Sequence, residues 1–132
     1  MQPDISAIKD AKVRTFYALY WPQHQIIRDF FARLTEEQFD YRIVDRPTRK
    51  ADTPRESLAH ILYVQRVFLN GARTGKLAYQ SMGVEHYREL PGAQLLAELE
   101  RIDTELYTYL TAPDFDSDRS VHVEWGGEMN VV

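Results

Sequence analysis

The sequence predicts an all-α protein, an up-down helical bundle with three main helices present and a fourth absent or truncated. Apolar residues recur at spacings of three and four in three long stretches. The middle stretch is apolar on two sides, so a three-helix bundle leaves one of its faces without a neighbour. The chain has 132 residues, 44% of them hydrophobic, enough to build one core over residues 1–132 as a single domain.

The first helix is expected from about Ser6 to Leu34, on Ile8, Val13, Phe16, Leu19, Tyr20, Ile27 and Phe30. Pro22 removes a backbone donor inside it and predicts a kink near Trp21 or a break into two helices. Residues 35–52 lack the period, are polar and contain Pro47. They read as a connection, with a short extended piece at Phe39–Val44.

The second helix has the clearest start. Thr53 caps, Pro54 takes the first helical position and Glu56 completes a capping box. It is expected to run to about Asn70 and stop at Gly71. Leu58, Ile61, Leu62, Phe68 and Leu69 share one side, and His60, Tyr63, Val64 and Val67 another, a pattern of burial between neighbours. Residues 71–90 read as an irregular connection with three glycines, open to a short helix in one part. Pro91 opens a third helix on Leu95, Leu96, Leu99, Ile102, Leu106, Tyr109 and Leu110, which ends before Pro113. Ser120–Trp125 alternates like a short strand, and Gly126 and Gly127 mark a turn.

Composition excludes several functions. The net charge of −4 argues against a nucleic-acid partner. The absence of cysteine removes disulfides, zinc fingers, iron–sulfur clusters and cysteine nucleophiles together. The first residues carry no secretory signal, and no apolar run is long enough for a membrane span, so a cytoplasmic protein is expected with no membrane partner. Phosphate-loop, GxGxxG and GxSxG patterns are missing. Asp114, Asp116 and Asp118 match the first ligand positions of a calcium loop. Arg119 and Trp125 stand where the loop needs glycine and glutamate, so a solvated acidic loop is expected. His122 and Glu124 lack the cysteine partners of a zinc deaminase.

The four histidines, His24, His60, His86 and His122, form no local metal-binding pair. His24 and His86 read as structural or exposed. His60 sits mid-helix, where a buried imidazole needs a partner: a metal, a carbonyl or a tyrosine hydroxyl.

Three stretches resemble the DinB/YfiT-like family of four-helix bundles: FARLTEEQF (Phe31–Phe39), TPRESLAHIL (Thr53–Leu62) followed by VFLNG (Val67–Gly71), and WGGEM (Trp125–Met129). Their order and spacing span most of the chain. The resemblance implies a divalent metal, nickel or zinc, held by three histidines. His60, in the Leu58-Ala59-His60 run, maps onto the first ligand. The other two normally form a His-x-x-x-His pair on the last helix, and no such pair occurs before Val132. A chain cut short before that helix is the first expectation, and a short chain that covers its open face by dimerising is the second. Both imply self-association, with a homodimer as the expected partner.

The activity implied is metal-dependent thiol transfer or hydrolysis, with a low-molecular-weight bacterial thiol bound at the metal and deprotonated by it. Tyr17, Tyr20 and Trp21 are available to line the cavity or to form ordinary core. The alternative is a non-catalytic interaction or stress-response protein with an incomplete metal site.

Overall fold

A computed structural model describes residues 2–79 and 83–131. Its helices are α1 (Ala11–Ala32), α2 (Pro54–Thr74), α3 (Glu85–Arg88) and α4 (Gly92–Leu110). Its strands are β1 (Asp45–Arg46), β2 (Arg49–Lys50), β3 (Lys76–Leu77), β4 (Ser120–Val123) and β5 (Glu128–Asn130). Short 3-10 turns cover Ile5–Ala7 and Gln38–Asp40.

The all-α expectation is therefore corrected: two small sheets accompany the helices. β1 and β2 form an antiparallel hairpin within the 35–52 connection, beyond the extended piece expected at Phe39–Val44. The other sheet has the order β3-β4-β5. Its parallel β3–β4 pair joins Leu77 to Val123 across most of the second half of the chain. Strands of two to four residues have no period to read, and their partners are distant in sequence. Only tertiary contact stabilises them. Val121 and Val123 alternate inward from β4 and close over Val67 of α2 and Leu77 of β3.

The helices follow their local signals. Asp10 caps α1 by accepting the Val13 N–H at 3.1 Å, and it also accepts from Ser117 Oγ at 2.7 Å, which ties the 113–119 loop to the helix. α1 passes through Pro22 unbroken. The break expected at this residue does not occur, and its ring is exposed. The capping box of α2 is present in both directions, with Glu56 N–H to Thr53 Oγ1 at 3.1 Å and Thr53 N–H to Glu56 Oε1 at 3.2 Å. α2 runs past Gly71 to Thr74 and stops at Gly75, whose φ of 81° closes the last turn onto the Gly71 carbonyl. Gly71 is needed for another reason: Leu77 of β3 packs onto it so closely that an added Cβ would lie 2.6 Å from Leu77 Cδ1.

α4 is the centre of the helical layer. Its Leu95, Leu99 and Ile102 pack with Leu58, Ala59, Leu62 and Leu69 of α2, and Phe31 and Phe39 close one end. Its Leu110 joins Val13, Tyr17 and Trp21 of α1. α4 thus supports both neighbours, whereas α1 and α2 make few direct contacts with each other. No fourth long helix covers them among the described residues.

Candidate functional site

The seam between α1 and α2 is the open feature of the fold. The two helices run antiparallel along it. At one end Phe16 and Tyr20 of α1 face Gln65, Phe68 and Ala72 of α2 across an apolar groove of about 270 Å³, with Val131 at its edge. At the other end Phe30 of α1 and Leu34 just beyond it face Pro54 and Ser57 of α2 across a cleft of about 820 Å³, which Gln38, Tyr41 and Ile43 also line. The rim of this second cleft carries Glu37 and Asp52.

His60 lies on α2 between Ser57 and Gln65, in the stretch of helix that joins these two openings, and it is exposed. The two-sided burial expected of α2 holds only for its second half. Val67 shares the His60 side of the helix two turns on, and there the β3-β4-β5 sheet covers it. The sheet stops short of His60, so the same helical side emerges into solvent.

The remaining histidines are dispersed. His86 on α3 is exposed against the edge of Tyr87. His122 is exposed on β4, with Nδ1 3.0 Å from Glu128 Oε1. His24 is buried in α1. Among the described residues, no group of three His, Asp or Glu side chains could hold a metal ion. The chain offers His60 alone toward the three-histidine centre that the resemblance implies. That ligand set is not assembled within the described residues.

The acidic loop is bonded to its own chain: Asp118 N–H donates to Asp116 Oδ1 at 3.0 Å, and Lys12 Nζ lies 3.6 Å from Asp118.

Sequence reasoning missed a polar cluster beneath the seam. His24 Nε2 lies 2.8 Å from Asp103 Oδ1 of α4, with side chains 4% and 1% exposed. The contact is close, but the imidazole N–H is not aligned on the carboxylate, and Asp103 Oδ2 has no hydrogen-bond partner. The Tyr17 hydroxyl, fully buried nearby, also lacks one. The Tyr20 ring stacks on His24 at 5.1 Å, and Gln65 Nε2 donates to the Tyr20 hydroxyl at 3.4 Å. Burial first, and then the Asp103 carboxylate, push both tyrosine hydroxyls above their ordinary value of 10.0. A pair this enclosed cannot reach a substrate, and its effect is to join α1 to α4 under the seam. The signal was legible in part: Asp103 interrupts the apolar face of Leu99, Leu106 and Leu110. Tyr17 and Trp21 are core, and Tyr20 lines the groove.

A second polar group lies on the far side of α2. Arg66 donates to Glu105 Oε2 at 2.6 Å and to Glu98 Oε1 at 2.9 Å, in a cleft of about 350 Å³ shared with Tyr63, His86 and Tyr87.

In comparisons with protein-family models, with curated proteins and with solved structures, nothing matches this chain. No helix among the described residues is long and apolar enough to cross a membrane.

Proposed function

We propose that this chain is an assembly-dependent protein of the DinB/YfiT-like kind. It associates through the open α1–α2 seam, and His60 supplies one ligand of a divalent-metal site that the associating partner completes. The observation that carries this reading is the seam. Two helices that share α4 but barely touch each other leave apolar walls at both ends, with an exposed imidazole in the stretch of α2 between them. An apolar helix face of this kind is stable in water only when something packs on it. The exposed imidazole lines neither opening of the seam; on the adjacent side of the same helix it is free to take a metal. The family resemblance extends the reading to thiol transfer or hydrolysis. With one ligand in the chain, that chemistry belongs to the assembled form.

A second reading keeps the association and drops the metal. It is favoured by the apolar surface of α1, which needs a partner whether or not His60 binds anything.

The test is metal content per chain, measured by elemental mass spectrometry on protein purified without chelator or nickel resin, with the oligomeric state read on the same sample. Nickel or zinc that tracks the associated form and disappears in His60→Ala supports the metal reading. An associated protein free of metal overturns that reading and leaves the interaction reading. Metal that survives His60→Ala overturns the assignment of His60.

A further inference from the structure

One side of α1 is apolar and largely exposed. Phe16, Leu19, Ile26, Ile27 and Phe30 are 55%, 67%, 71%, 42% and 56% exposed. With Tyr20 and Gln23 they form one stripe at spacings of three, four and seven, and no charged residue falls on it between Phe16 and Phe30. At about 200 Å² for a fully exposed side chain of this size, the five leave roughly 600 Å² of apolar surface in water. That matches the largest patches found on monomers, about 300–600 Å². It is also most of the roughly 800 Å² per partner that a stable pair buries. Depletion of charge is the mark of an interface centre.

The stripe is also symmetric about Gln23. Seven residues to either side stand Phe16 and Phe30, four to either side Leu19 and Ile27, and three to either side Tyr20 and Ile26. A two-fold axis brings residue i of one copy to residue j of the other and j to i. An antiparallel pair of α1 helices centred on Gln23 therefore sets phenylalanine on phenylalanine at both ends and Leu19 on Ile27 between them, while Ile26 meets the outer edge of the half-buried Tyr20. The one polar position would meet its own copy. Two facing carboxamides can exchange hydrogen bonds, and a single polar residue in an apolar seam fixes the register of a helix pair.

We infer that the partner is a second copy of this chain, joined through an antiparallel α1–α1 contact centred on Gln23. The inference rests on the association half of the proposed function and is independent of the metal.

The absence of cysteine makes the register directly testable. The full chain is followed by sedimentation from micromolar to millimolar concentration, alongside single and double cysteine variants under mild oxidation. The wild type should dimerise, and Gln23→Cys should give an intermolecular disulfide. Leu19→Cys alone should not, because the two Leu19 positions lie about 12 Å apart along the axis, out of disulfide reach. Leu19→Cys combined with Ile27→Cys should. Leu19→Glu alters a residue exposed in the free chain, so it leaves the fold intact, and it should weaken the dimer at least ~30-fold. A dimer indifferent to Leu19→Glu and unbridged by Gln23→Cys overturns the α1 contact while leaving association through another face. A monomer over the whole range overturns both.

Discussion

His24 of α1 and Asp103 of α4 meet at 2.8 Å inside a core that water does not reach. Neither element holds the pair alone: each residue occupies the inward side of its own helix, and the contact appears when α1 packs on α4. Removing one member leaves the other buried without its partner. His24→Ala or Asp103→Ala should each cost about 3–5 kcal/mol. His24→Leu with Asp103→Leu, which replaces both by apolar groups, should cost far less than the sum. Urea unfolding of the four proteins checks this. Additive losses would mean that the two residues do not act as a pair.

Glu105 gives the protein an acid-sensitive contact. The Arg66 guanidinium, which donates to it at 2.6 Å, is the first cause that holds its carboxyl below the ordinary 4.5, and Arg73 adds to the effect from 3.1 Å. A carboxyl depressed in the folded state stabilises above its unfolded value, and the gain is lost as pH falls through the lower folded value. Glu105→Gln should therefore be less stable than wild type by about 1 kcal/mol near neutrality. The two urea midpoints should converge below pH 4. A gap that persists in acid would show that the side chain acts through packing instead.

Gly92 opens α4 against the ring of Phe39. An added Cβ would lie 2.4 Å from Phe39 Cε2 and 2.9 Å from Glu36 Oε2, the atom that accepts the Gly92 N–H. Helix propensity favours alanine over glycine by about 1 kcal/mol. Steric overlap opposes it, and Phe39 has little room to yield. It is 2% exposed, stacked on Phe31 and covered by Arg55. Gly92→Ala should therefore destabilise, by about 1–3 kcal/mol overall. Denaturant unfolding with an unchanged m-value would agree, and a more stable variant would refute the steric argument.

The three long helices were legible because their causes are local. The capping box at Thr53–Glu56 and the period of Leu95 to Leu110 act over a few residues. The start of α1 was misplaced at Ser6: the helix begins at Ala11, where Asp10 caps it, and Ile5–Ala7 is a separate 3-10 turn. The end of α2 was misread at Gly71 because glycine has two uses. There it makes room for Leu77, and Gly75 supplies the left-handed turn. His60 could be singled out by type and helix position, but its exposure depends on where a sheet from residues 76–130 stops.

By itself the sequence determined where the three long helices lie and which functions composition excludes. Each follows from periodicity, capping or residue type, which short-range physics reads directly. The open apolar face it expected on the second helix is partly covered by the β3-β4-β5 sheet, and the exposed apolar stripe lies on α1. Only the tertiary structure decided that the chain is mixed α and β, that His24 pairs with Asp103, and that the open face lies between α1 and α2. The first two share one reason. Leu77 with Val123, and His24 with Asp103, are far apart in the chain and weak or unfavourable in isolation. They form only once the helices have packed and excluded water.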